Sequence, residues 1–438
     1  MKIHKEFFRY VIPSMLAFAL SGVYAIADGF FVGNALGDSA LAAINVAYPI
    51  TAFLQAAGTG IGMGGAIRYS ISIGTKKERR GRQYFGMSLI LLAIAGVFLT
   101  FLFWAGSPAA LRLFGAEGSI HTLGKEYLLC ISCGAIFQVM ATGLVPFLRN
   151  MGGSVAAMAA MIAGFLTNIL LDYLFVWVLP WGMTGAAAAT VLGQAVTFFV
   201  CLGFFIRGKQ RPLFCFGKEG RLLLHQIFGV AFSPFGLTFS PNITLILINK
   251  SAALFGGAAA VTCYAPISYI SCVILLLLQG ISDGSQPMVS LAFGERKLDR
   301  TRQIRNLAYR FAAAVSLLCM IVLFLVRGRA AKIFGASEDI TRQVAALLPV
   351  FLTGYLFLGI SRITTAFFYA VGKNLQAYIL IYGEPFFLFL LLLFLPRLFG
   401  VWGTWLSVPI SQILIAAVSI FLVLREKQPV PSGRGNAG

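Results

Sequence analysis

Charge is scarce in this chain. Of 438 residues only 11% are Asp, Glu, Lys or Arg, against roughly a quarter in a soluble globular domain. A soluble protein with an ordinary hydrated surface is thereby excluded. Acid is scarcer still, with 15 Asp and Glu against 34 Lys and Arg. Histidine occurs three times, at His4, His121 and His225, each near the end of an apolar stretch, so no imidazole metal centre is implied. The apolar stretches hold no histidine constellation and no HExxH, which argues against a membrane-embedded enzyme. Cysteine supplies no disulfide framework. Cys130, Cys133, Cys201, Cys263, Cys272 and Cys319 lie inside apolar runs, and only Cys215 does not. Cys130 and Cys133 form a CxxC, which within such a run reads as packing rather than as a redox or zinc motif.

Apolar surface is what the chain has in quantity, at 59% of residues. Runs of about 20 apolar residues, enough to cross a hydrocarbon core of about 30 Å, recur from end to end. We place spans at 10–34, 42–73, 86–109, 122–148, 155–178, 184–206, 224–249, 258–291, 306–327, 343–370, 376–396 and 401–424. The first, preceded by Lys2, Lys5 and Arg9, is too long for a signal peptide and lacks a clear cleavage site. The expected fold class is an all-α polytopic membrane protein with about twelve transmembrane helices in the cytoplasmic (inner) membrane. The net charge of +19 resides in short loops: Lys76, Lys77, Arg79, Arg80 and Arg82; Arg207, Lys209, Arg211, Lys218 and Arg221; Arg296, Lys297, Arg300, Arg302 and Arg305. Basic loops face the cytoplasm, so both termini are expected there and no nucleic-acid partner is expected. Arg327, Arg329 and Lys332 run against this topology.

The chain repeats itself at a spacing of 220. Gly60-Ile61, Gly64, Ser70, Gly74, Lys77, Arg80 and Arg82-Gln83 recur as Gly280-Ile281, Gly284, Ser290, Gly294, Lys297, Arg300 and Arg302-Gln303, nine identities in 24 positions. Phe114-Gly115-Ala116 recurs as Phe334-Gly335-Ala336, Gly134 as Gly354 and Gly152 as Gly372; Gly182, Gly185 and Gln194 recur at 218 as Gly400, Gly403 and Gln412. Six spans is an even number, so the two lobes point the same way, related by a pseudo-two-fold axis along the membrane normal with a cavity between them. The expected division is a first lobe at 1–206, a basic linker at 207–222, a second lobe at 223–424 and a tail at 425–438.

Four carboxylates fall within spans: Asp28, Asp172, Asp283 and Glu384. An ionisable group at membrane depth is costly and marks function by default, the alternative being a buried ion pair. At 1.5 Å per residue, Asp28 and Asp172 each lie about 9 Å from the outer ends of their helices, and Thr190 reaches the same level. Asn168 shares a helical face with Asp172. These four can supply oxygen ligands for Na⁺, or a carboxyl pair that shares a proton. The counterpart of Asp28 is Asn249 at spacing 221, and Asp172 falls opposite leucines, so the cluster belongs to the first half. In the second half Asp283, Glu384 and Arg362 share a depth of about 10–12 Å from the inner ends. They form either an ion pair or an acid left for a cationic substrate.

Pro13 … Asp28-Gly29-Phe30-Phe31-Val32-Gly33 … Ala40-Leu41-Ala42-Ala43 resembles the opening of the multidrug and toxic-compound extrusion (MATE) family. Asn168-x-x-x-Asp172-Tyr173 with Gly185-Ala186-Ala187-Ala188-Ala189-Thr190 resembles that family's cation-site helices in prokaryotes, and Gly284-Ser285-Gln286-Pro287 its eighth helix. The likeness extends over nearly the whole chain. It implies an antiporter that exports cationic amphipathic compounds against Na⁺ or H⁺. By that resemblance Asp28, Asn168, Asp172 and Thr190 would carry the ion. Pro13 lacks a backbone donor and is the expected hinge of the first helix, and Asp283, Gln286, Arg362 and Glu384 are expected to face the substrate cavity. No cofactor is expected beyond the coupling ion, and no metal beyond Na⁺ at those residues. The partners are organic cations and the bilayer, and the chain is expected to be a monomer. One branch of the family has a carboxylate in the seventh helix where this chain reads Asn249-Lys250, so a second coupling site is not implied. A flippase for lipid-linked saccharide is the alternative, and it would call for more cationic residues in the cavity.

Overall fold

The computed structural model describes residues 2–113, 116–208, 211–334 and 337–426. The repeat motif at 114–115 and 335–336, Lys209 of the linker and the tail from 427 lie outside the described residues. Among those described there are helices and no strand: α1 (Lys2–Leu36), α2 (Asp38–Gly74), α3 (Glu78–Leu113), α4 (Gly118–Cys133), α5 (Ala135–Asn150), α6 (Ser154–Asp172), α7 (Gly182–Arg207), α8 (Gly217–Gly294), α9 (Leu298–Ala330), α10 (Glu338–Ala370), α11 (Asn374–Phe399) and α12 (Val401–Leu424). Ten are long and apolar enough to cross a membrane alone, and α4 with α5, bent by 58°, makes an eleventh span.

The twelfth crossing comes from α8. Its 78 residues would extend about 117 Å if straight, several times a bilayer's hydrocarbon core. It breaks at Gly257, whose φ of 67° and ψ of −165° are non-helical. Both arms return to α2: a Cβ on Gly64 would lie 2.7 Å from the Ile227 carbonyl, and one on Gly74 would lie 2.5 Å from the Leu291 carbonyl.

The helices run past the spans read from hydropathy. α1 starts at Lys2 rather than 10, α3 at Glu78 rather than 86, and α9 at Leu298 rather than 306. Arg79, Arg80 and Arg82, and likewise Arg300, Arg302 and Arg305, therefore sit within the first eight residues of their helices rather than in loops. Hydropathy marks only the apolar part of a helix, while backbone hydrogen bonding continues past it into polar sequence. The expected fourth span is two helices that meet at Gly134, where the chain bends.

Backbone geometry repeats where the sequence does. Left-handed φ values occur at Gly37 (83°) and Gly257 (67°), at Lys76 and Arg296 (60° each), and at Gly152 (88°) and Gly372 (76°). All three pairs stand 220 apart. Gly182 (62°) and Gly400 (58°) form a fourth pair at 218.

Helix packing obeys the same spacing. Gly60 and Gly64 of α2 receive Phe235 and Ala231 of the first arm of α8, while Gly280 and Gly284 of the second arm receive Met15 and Val11 of α1. Every member of the second set is the repeat counterpart of one in the first. Gly74 and Gly294, also counterparts, meet each other, so that a Cβ on either would come within about 3 Å of the other's backbone. This small-residue seam lets backbones approach closely where lipid offers no hydrophobic drive between helices. Phe7, Val11, Met63 and Ile67 accordingly belong to the apolar core of the second half, while the other large core holds residues of the first half alone.

Candidate functional site

α1, α6 and α7 bring the four first-half residues together. The carboxyls of Asp28 and Asp172 lie within hydrogen-bond reach of each other. Asn168 Nδ2 donates to Thr190 Oγ1 at 3.3 Å, and that hydroxyl donates to the Ala186 carbonyl at 3.2 Å. Asp172 is wholly buried and Asn168 nearly so. Two tyrosines that the sequence did not single out complete the site. Tyr24, one turn before Asp28 on α1, and Tyr127 on α4 both reach the Thr190 hydroxyl and face the two carboxyls. The Tyr24 ring stacks on Phe165 with centroids 5.2 Å apart. Spacing along α1 was a signal for Tyr24; nothing in the sequence pointed to Tyr127.

The backbone changes its winding directly after Asp172. The α-helix ends at that residue, and Tyr173–Val178 continue as a π-helix. A π turn inserts one residue per turn and rotates the side chains beyond it, a feature frequent at functional sites. It turns Tyr173 and Trp177 into an aromatic group with Phe30 and Phe31 of α1, the Phe31–Trp177 centroids being 5.3 Å apart.

The site has a surplus of acceptors. Asp28 Oδ1, Asn168 Oδ1 and both carboxyl oxygens of Asp172 are buried without a hydrogen-bond donor. Buried polar atoms are ordinarily paired, so a group of orphans in one place calls for a ligand. Oxygen donors alone suit a hard cation or a proton. Among the described residues no three His, Cys, Asp or Glu side chains gather as a metal cluster.

The counterpart of Asp28 lies one residue earlier than spacing 221 gives. The matching turns at Gly37 and Gly257 set the spacing at 220, which puts Ile248, 1% exposed, rather than Asn249 opposite Asp28. The absence of an acid there stands.

The second-half residues separate into two groups. Arg362 Nη2 pairs with Glu384 Oε2 at 3.4 Å, with side chains 5% and 13% exposed, and Arg362 Nη1 donates to the Leu237 carbonyl at 3.4 Å. Asp283 does not join them. It pairs at 3.3 Å with Arg149, both side chains 3% exposed, and accepts from Gln279 at 2.7 Å. Gln286 accepts from Asn150 at 3.0 Å and donates to Ser290 at 2.8 Å. Arg149 was not legible in the sequence because a basic residue at a span's end ordinarily reaches headgroup or water. Pro13 lies within α1, which runs through it unbroken.

Comparison with known proteins places this geometry. The MatE family model matches residues 13–174 and again 231–393. The multidrug export protein MepA of Staphylococcus saprophyticus is 24% identical over 433 residues, covering 98% of this chain and 95% of that protein. MepA of Staphylococcus aureus is 23% identical over 435 residues with the same coverage. Among solved structures, an outward-facing multidrug resistance MATE family transporter of the MOP superfamily superposes with a TM-score of 0.89 at 24% identity, over 96% of this chain and 95% of that one. MATE in a bent conformation superposes with a TM-score of 0.88 at the same identity and coverage. With the family model spanning most of both halves, this chain belongs to the MatE family and is a multi-pass membrane transporter.

Proposed function

We propose that this transporter exports cationic amphipathic drugs in exchange for Na⁺ or H⁺, by alternating access between a first lobe at 1–206 and a second at 223–424. The observation that carries the reading is the set of donorless oxygens on Asp28, Asn168 and Asp172. The coupling ion enters there. Two close carboxyls oppose each other's ionisation, and a cation or proton between them relieves that repulsion and changes how α1 packs. Pro13 lacks the backbone donor to the residue four before it and offers α1 a place to bend. Ion binding shifts the transporter between its two shapes only as far as its affinity for them differs. The relatives' names, multidrug export protein, support drugs as cargo. Glu384, the more accessible member of the pair with Arg362, is the acid a cationic substrate would meet.

A lipid-linked saccharide flippase fits less well. It would need free positive charge for pyrophosphate, whereas the buried Arg149 and Arg362 are each met by a carboxylate. In this reading the basic face with both termini is cytoplasmic and the chain acts as a monomer. The test is efflux of an organic cation such as ethidium from proteoliposomes under separately imposed Na⁺ and pH gradients. Transport driven by either one identifies the ion, and efflux indifferent to both refutes antiport.

A further inference from the structure

The basic ends of the two halves are held together by more than glycine contacts. At that level a buried polar network crosses the seam. From the first half come Ser70 on α2 and Arg149 and Asn150 at the end of α5; from the second come Asp283, Gln286 and Ser290 on α8. Ser70 donates to Asn150 Oδ1 at 2.6 Å, Asn150 to Gln286 at 3.0 Å, Gln286 to Ser290 at 2.8 Å and Ser290 to the Ala370 carbonyl at 2.9 Å. Beside this chain sits the Arg149–Asp283 pair.

The pair breaks the repeat in a complementary way. At spacing 220 the counterpart of Arg149 is Tyr369 and that of Asp283 is Met63. Each half therefore carries one charge that only the other half neutralises. Stability alone does not explain it, since an apolar pair of similar volume usually serves a dry interface as well or better. An ion pair differs from an apolar pair in the separated state. Once water enters the seam both charges are hydrated, whereas parted apolar side chains are penalised.

A further contact ties the pair to α1. The Phe18 ring lies under the Arg149 guanidinium at 5.1 Å. Phe18 stands five residues beyond Pro13 and ten before Asp28, between the hinge and the ion site. We propose that Arg149 and Asp283 form a charge lock between the halves, made when they meet at the basic end and released when they part. Phe18 is the cap through which α1 acts on it. The inference rests on the proposed function only in taking the halves to separate there during transport.

Nitroxide labels at Arg79→Cys and Asp299→Cys, exposed repeat counterparts at the starts of α3 and α9, report the seam by double electron–electron resonance. The protein is the full chain in nanodiscs, its seven native cysteines replaced. Arg149→Met leaves Asp283 unpaired in the closed state alone and lowers the closed-to-open ratio by about tenfold or more. Asp283→Asn, a milder change should the first variant fold poorly, shifts it the same way. Arg149→Met/Asp283→Leu reverses the shift, to the wild-type ratio or beyond it toward closed. Phe18→Ala gives a smaller opening with the pair intact. Wild-type distances in both single variants, or an open shift that the double variant fails to reverse, would overturn the lock. The distances are read without drug or ion gradient. A chain that exports no drug therefore refutes the proposed function and leaves the lock standing, while one that exports drug with unmoved distances refutes the lock alone.

Discussion

Removing Arg362 is the perturbation whose energetic consequence geometry dictates most directly. Its guanidinium stands 3.4 Å from Glu384, and the two side chains are 5% and 13% exposed. At an effective dielectric of 20 that separation corresponds to roughly 5 kcal/mol of attraction, which the desolvation of two ions largely offsets. The pair as a whole is thus near neutral, but Arg362→Met leaves a carboxylate buried alone, at a cost of about 3–5 kcal/mol. Adding Glu384→Gln removes that charge and restores most of the loss. About 1 kcal/mol remains for the Leu237 carbonyl, which loses its donor. Asp283→Asn provides the contrast, because Asp283 is held by Arg149. Combined with Arg362→Met it restores nothing and adds its own destabilisation by leaving Arg149 unpaired. Equilibrium unfolding of the single and double variants in mixed detergent–SDS micelles yields both coupling energies. A coupling to Glu384 below about 1 kcal/mol, or a rescue by Asp283→Asn, would refute the assignment of partners.

Asp28→Asn and Asp172→Asn should each abolish ion-driven efflux from proteoliposomes while equilibrium drug binding persists; coupled transport at the wild-type rate by Asp28→Asn would sink the ion-site reading. Gly257→Ala forces a side chain onto a φ of 67° and ψ of −165° and should destabilise by about 1–3 kcal/mol. Gly203→Ala, in open space on α7, should be neutral or slightly stabilising in the same unfolding assay. Cys215 donates to Glu219 at 3.2 Å, and this carboxylate, foremost through that hydrogen bond, pushes the thiol's pKa above its ordinary value. Stabilisation of the protonated thiol means less thiolate at neutral pH, so Glu219→Gln should speed maleimide labelling of Cys215 in inside-out vesicles. Equal rates would show that the hydrogen bond does not govern the thiol, and labelling from outside intact cells would reverse the topology.

Most of the architecture was legible in the chain because it is encoded locally. Lipid admits only apolar runs with internally bonded backbone, so the spans declare themselves. The repeat glycines marked positions where backbones nearly touch, although which helix each would receive was not evident: Gly60 takes Phe235 and Gly280 takes Met15. The first-half acids were picked out because charge is rare at that depth, Asn168 because it shares a helical face with Asp172, and rise per residue placed the acids at one level with Thr190. The same arithmetic put Asp283 beside Arg362, and the structure gives Asp283 to Arg149 instead.

That this is a twice-repeated helical membrane protein with carboxylates buried in its first half could be read from the residues alone, since hydropathy, spacing and depth are properties of a chain followed along its length. Which buried charges meet emerged from the folded bundle. Rise per residue gives height, but the direction a side chain faces depends on helix rotation, which advances about 100° per residue and is reset by each bend, at Gly134 between α4 and α5 and at the π turn after Asp172. Arg149 and Asp283 are 134 residues apart, in halves whose relative placement no local signal records. Tyr127 likewise reaches the ion site only because α4 packs against α7 and α2 in the folded bundle.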